Sequence, residues 1–190
     1  MKDILPGSGG SSPANLTSVN GILYFTADNG SDGRELWRSD GTAEGTSMIM
    51  NINPSGDSNP ADITQVEGTI FFSADDGATG AEVWKTDGTS LGTELVVDLI
   101  AGPDASAPGE FASFGGKLIF EAKLAVAEAP VLCFTDGSAA GTGLIQRVDA
   151  LDEAGPGRCS TGEAEHRIFG NVQSGLEEKH VAEGRELGGS

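Results

Sequence analysis

A phrase of twelve residues recurs three times in the chain, and its period limits the folds open to it. Residues 35–46 read ELWRSDGTAEGT, residues 82–93 read EVWKTDGTSLGT, and residues 131–142 read VLCFTDGSAAGT. The steps Asp40-Gly41, Asp87-Gly88 and Asp136-Gly137 fall 47 and then 49 residues apart. Periods of this size belong to solenoids, propellers and other arrays, in which each unit buries its faces against its neighbours.

The rest of each copy reads as strands. After Pro13, Pro60 and Pro108 come the apolar pairs Leu16 and Val19, Ile63 and Val66, Phe111 and Phe114. The junctions Asn20-Gly21, Glu67-Gly68 and Gly115-Gly116 follow. Asn-Gly and Gly-Gly suit a type I′ hairpin, where both central residues need positive φ, and Glu67 suits it less well. The next strand reads ILYFTAD, TIFFSAD and KLIFEAK from residues 22, 69 and 117. Its alternate positions Leu23, Phe25, Ala27 and their counterparts are apolar, and so is the intervening Tyr24, Phe71 or Ile119. Apolar residues on both sides predict a sheet covered on both faces.

A third strand is predicted at 34–39 and 81–86, and a fourth at 48–52, 95–99 and 144–148. Four short strands per 47 residues, joined in sequence, predict an all-β, propeller-like array of four-stranded antiparallel meanders. Three copies lie near 6–52, 53–99 and 100–147. Residues 148–190 read either as a degenerate, truncated fourth repeat or as an acidic tail. Ile168-Phe169 matches the second strand, and Gly184-Arg185-Glu186-Leu187 matches Gly33-Arg34-Glu35-Leu36. At the other end, Lys2-Asp3-Ile4-Leu5-Pro6 aligns with Met50-Asn51-Ile52-Asn53-Pro54. The chain thus reads first as a piece of a longer array and second as a four-membered ring closed by residues 2–5.

Within the phrase, each residue has a structural use. The Asp carboxylate accepts N–H groups that lack strand partners. Gly41 and Gly45 are expected at positive φ. The Trp packs between units, and its indole N–H needs an acceptor. Glu35 and Glu82, beside Arg or Lys, are expected to form hydrogen bonds or ion pairs within one unit.

At these residues the sequence resembles the ELWxxDGT-repeat proteins, also labelled hyalin-like, of bacterial secreted and surface proteins. Residues 35–46 match in full, 82–93 differ by one apolar exchange, and 131–142 lose the Glu and the Trp. The resemblance covers about residues 2–148. It implies a propeller-like fold and a secreted or cell-surface setting, and it implies no catalytic residues. The start, Met1 to Gly7, lacks the apolar core of a signal peptide. The register of the repeats favours a true start lying elsewhere.

Charge and chemistry narrow the function. With 29 Asp+Glu against 11 Lys+Arg, the formal charge is −18, which disfavours nucleic acid as a partner. Nothing approaches a membrane span of roughly 18 apolar residues. The single tyrosine, Tyr24, lies in an apolar strand and is expected in the core. The loops 28–33 (DNGSDG) and 75–80 (DDGATG) read first as solvated turns and second as weak calcium sites built on Asp28, Asp32, Asp75 and Asp76. His166 and His180 stand near Cys159 without metal-ligand spacing, and Cys133 in the Trp position reads as a buried small apolar residue. A Cys133–Cys159 bridge is compatible with secretion.

The sequence therefore nominates no catalytic, cofactor-binding or metal residue. It points to a non-enzymatic extracellular or cell-surface module, a scaffold or a surface for a protein or glycan partner, with further repeat copies as a second class of partner. The competing reading is a fragment of a propeller-type hydrolase or lyase acting on a polysaccharide.

Overall fold

A computed structural model describes residues 2–146 apart from residues 126 and 128. The described residues form twelve strands and no helix, so no helix is long and apolar enough to cross a membrane. Sheet 1 contains β1 (Ala14–Val19), β2 (Ile22–Asp28), β3 (Arg34–Ser39) and β4 (Ser47–Met50). Sheet 2 contains β5 (Ala61–Val66), β6 (Thr69–Asp75), β7 (Ala81–Thr86) and β8 (Glu94–Val97). Sheet 3 contains β9 (Gly109–Phe114), β10 (Lys117–Ala122), β11 (Val131–Thr135) and β12 (Gly143–Gln146). Each is an antiparallel meander with its strands in chain order. The first strands β1, β5 and β9 lie side by side.

The hairpin between first and second strands has the expected form. Asn20 and Gly21 take φ of +50° and +80°, and Gly115 and Gly116 take +57° and +75°. Glu67 takes +46° all the same, because the flanking strands pair up to Val66 and Thr69 and leave the turn no other path. The fourth strands β4 and β8 begin one residue before the expected start and end two residues early. Asn51 and Ile52, and likewise Asp98 and Leu99, leave the sheet to begin the connection to the next one.

The sheets stack face to face, and each apolar cluster draws on two of them. Val19, Tyr24, Leu36 and Ile49 of sheet 1, with Ile52, meet Ile63, Ile70, Phe72, Ala74 and Trp84 of sheet 2. Val66, Phe71, Val83 and Val96 of sheet 2, with Leu99, meet Leu118, Phe120, Ala122 and Cys133 of sheet 3. Burying each Val, Leu, Ile or Phe among them contributes ~1.5–3 kcal/mol. Every sheet thus has a leading face, turned to the sheet before it, and a trailing face, turned to the sheet after. Sheet 1's leading face, with Phe25, Ala27 and Trp37, is covered in part by Ile4. Ile4 stands against it as Ile52 stands against sheet 2, in line with the alignment of residues 2–6 to 50–54.

The two ends of the stack differ. On the leading face of sheet 1, Leu16 is 63% exposed, whereas its counterpart Ile63 is 8% exposed. On the trailing face of sheet 3, Phe114 is 77% exposed and Leu132 40%, whereas their counterparts Val66 and Val83 are buried. Residues 148–190, with the proposed fourth repeat, lie outside the described residues.

Candidate functional site

The repeated phrase folds into a turn closed on itself. Asp40 Oδ1 accepts the Thr42 N–H at 2.9 Å and the Thr42 hydroxyl at 2.7 Å. Asp87 does the same with Thr89, and Asp136 with Ser138. These bonds, from the residue two places on, hold all three carboxyls below the usual carboxylate range. Gly41, Gly88 and Gly137 take positive φ as expected, but Gly45, Gly92 and Gly141 do not. Their reason is space: a Cβ at Gly45, Gly92 or Gly141 would collide with the carboxylate of Asp40, Asp87 or Asp136. The closing Thr46, Thr93 and Thr142 each bond back to the turn carbonyl four residues earlier.

Glu35 and Glu82 are both fully buried. Each keeps one hydrogen bond inside its own copy, to Ile52 or Leu99, but neither pairs with the neighbouring Arg or Lys, and the other bonds go to the next copy. The Glu35 carboxylate accepts the Ile52 N–H at 3.1 Å, the Ser58 N–H at 3.3 Å and the Ser58 hydroxyl at 2.5 Å. Glu82 accepts the Leu99 N–H at 3.3 Å, the Ser106 N–H at 2.8 Å and the Ser106 hydroxyl at 2.6 Å. Each Glu therefore fastens the connection that leads into the following sheet. Ser58 and Ser106 in turn accept, at their carbonyls, the N–H groups of Asp75 and Lys123 at the end of that sheet's second strand. The physical reason is that a buried carboxylate needs several donors, and the connecting loop supplies free N–H groups where the strands do not. Burial pushes both carboxyls above their ordinary value, against the lowering effect of these bonds.

The cations of the phrase also reach forward. Arg38 Nη1 donates to the Gly88 carbonyl of the next sheet's turn at 3.0 Å, and Lys85 Nζ to the Gly137 carbonyl at 2.7 Å. Lys85 also pairs with Glu94 at 2.9 Å. Sheet 3 keeps the turn that receives, but it has Val131 in the Glu position and Phe134 in the Arg/Lys position. Lys117 lies over the Phe134 ring instead, 4.8 Å from its centre.

The other residues weighed for chemistry are placed as follows. Tyr24 is buried between sheets 1 and 2, which fits the expected core role. Arg34 donates to the Ser12 carbonyl within its own copy at 2.9 Å. Asp28 and Asp75 each cap the N–H two residues on, and Asp76 accepts from Ala78 and Thr79. Asp32 is bound by Asn29, Ser31 and Asn51. Among the described residues, no three His, Cys, Asp or Glu side chains come together as a metal would need. Trp37 donates its indole N–H to the Ala27 carbonyl, while that of Trp84 finds no acceptor among the described residues. Cys133 is buried between sheets 2 and 3, where burial pushes its thiol up to about 11. Cys159, His166 and His180 lie outside the described residues.

No family model matches the chain, and no curated protein matches it. Among solved structures it is similar to an alpha-L-arabinofuranosidase from Clostridium thermocellum, with 15% identity and a TM-score of 0.30. That likeness covers 73% of this chain and 51% of the arabinofuranosidase, so the chain spans about half its length. A likeness this weak carries no argument about activity.

The forward-reaching pairs escaped the sequence because most of their partners are loop residues of another copy. One signal was present. Glu and Arg/Lys disappear together in the third copy while the Asp-Gly turn stays, which marks them as serving something other than their own turn.

Proposed function

We propose that this chain is a non-enzymatic repeat module of propeller-like architecture, secreted or held at the cell surface, acting as a scaffold or as a surface for a protein or glycan. The observation that carries the reading is the employment of the recurrent polar residues. Glu35, Arg38, Glu82 and Lys85 are all engaged in joining one sheet to the next. The residues that most resemble a catalytic motif are thereby accounted for by assembly of the fold.

The competing reading, a piece of a polysaccharide hydrolase or lyase, needs two carboxylates about 5–10 Å apart in an open cleft. Glu35 and Glu82 are closed off from solvent and bonded to loops. The reading includes no cofactor; the loop carboxylates at 28–33 and 75–80 accept hydrogen bonds, chiefly from donors of their own loops. Incubation with a panel of plant and bacterial polysaccharides tests it. The module releases no reducing or unsaturated ends, and release at a catalytic rate would overturn it. A Ca²⁺ titration leaves its melting temperature unmoved, and a glycan array reports any sugar it holds.

A further inference from the structure

Both joints in the stack are built from one set of parts. The earlier sheet of each joint offers a Glu carboxylate and a cation. The leading side of the next offers the N–H of a linker residue (Ile52, Leu99), the N–H and hydroxyl of a serine (Ser58, Ser106) and a glycine carbonyl (Gly88, Gly137). An apolar residue of its first strand, Ile63 or Phe111, adds packing.

Sheet 1 carries the whole receiving set. Ile4 is seated on Phe25, Ala27 and Trp37, as Ile52 is seated on sheet 2. The Ser11 carbonyl accepts the Asp28 N–H at 3.0 Å, as the Ser58 carbonyl accepts that of Asp75 at 2.9 Å. Ser12 takes φ +45°, matching Asn59 at +46° and Ala107 at +47°, so the linker has the same bend at all three places. Gly41 takes φ +92°, matching Gly88 at +90°, so its turn has the receiving form. Leu16 stands exposed where Ile63 is covered. We infer that the leading face of sheet 1 is a docking surface for one more sheet of the same repeat, which would set its Glu on Ile4 and Ser11 and its Arg or Lys on the Gly41 carbonyl.

The occupant is not a second copy of this chain presenting sheet 3. That sheet has Val131 and Phe134 where the carboxylate and the cation must stand. The inference deepens the scaffold reading and rests on it. Sugar release would remove that reading and leave the result below to be judged by itself.

The test places a further copy of residues 53–95 ahead of Met1 in the full chain. The added sheet then runs into residues 1–4 as Leu95 runs into Val96 and onward to Leu99. Hydrogen exchange is followed at the amides of Ile4 and Ser11. Both slow by at least about tenfold, toward the rates of Ile52 and Ser58, and Glu82→Ala in the added copy alone reverses the gain. Unchanged exchange at Ile4 and Ser11, with Ile52 and Ser58 still protected, overturns the inference. A second measurement needs only the native chain. Its sedimentation coefficient, followed over a wide concentration range, is unaffected by Leu16→Lys. Self-association abolished by Leu16→Lys would give the face to a second copy and would equally overturn it.

Discussion

Ser106 gives both its backbone N–H and its hydroxyl to Glu82, 24 residues earlier and across a joint between two sheets. With the Leu99 N–H, this single carboxylate satisfies three donors of one connecting loop. Glu82→Ala leaves all three without an acceptor in a buried place. It should cost about 3 kcal/mol in chemical denaturation. Ser106→Ala removes only the hydroxyl and should cost roughly half as much. Equal losses would mean that the backbone N–H bonds contribute nothing.

The same carboxyl gives stability a pH dependence of definite sign. Burial, with a smaller contribution from the Asp98 charge, raises the Glu82 pKa above its ordinary value despite the bonds from Ser106 and Leu99. A raised carboxyl binds its proton more readily folded than unfolded. Its contribution is therefore fully present below the unfolded value of about 4.3 and is lost as pH rises through the folded value. The melting-temperature gap between wild type and Glu82→Gln should narrow from pH 4 toward neutrality. Asp87 is shifted the other way, chiefly by the Thr89 hydroxyl. Its contribution is present above about 3.9 and is lost as pH falls toward the depressed folded value, so the gap to Asp87→Asn should close in acid.

Gly92 tests the turn. It does not need positive φ; it needs an absent Cβ, because the Asp87 carboxylate fills that space. Gly92→Ala should cost about 1–3 kcal/mol, as overpacking does. In an Asp87→Ala background the same change should cost markedly less, and a double-mutant cycle reads the difference. Additive effects would place the cost in the backbone instead.

Leu36 and Leu132 hold the same place in the repeat. Leu36 is wholly buried between sheets 1 and 2, whereas Leu132 lies on the open trailing face of sheet 3. Leu36→Ala should cost ~2–5 kcal/mol. Leu132→Ala should cost under about 1 kcal/mol. Comparable losses in equilibrium unfolding would show that sheet 3 has a cover in solution.

The second strands of the first two copies were legible to the residue, while that of the third ends at Ala122, one residue short of the expected Lys123. Alternation in ILYFTAD and TIFFSAD fixes the side each chain position faces, and both predicted strands match the observed bounds. The first strands do open directly after Pro13, Pro60 and Pro108, but the bulge inside each was not legible. Asn15, Asp62 and Glu110 take positive φ beside a register shift, and a local kink of that kind leaves no hydrophobic signature. The polar joints were misread for a different reason. Neighbours in sequence suggested a Glu–Arg pair within a sheet, yet Glu35 and Arg38, three apart in one strand, point to opposite faces, and each reaches a partner in the next copy.

That forward reach means the written unit and the stabilised unit are out of step. The side chains that anchor the way into sheet 2 are spelled in the first copy, and those for sheet 3 in the second. A lesion at Glu35 should loosen residues 52–58 while leaving β3 in place, so its effect would be felt one repeat downstream of its address. Any map of damage in this molecule must be shifted by one copy before it can be read.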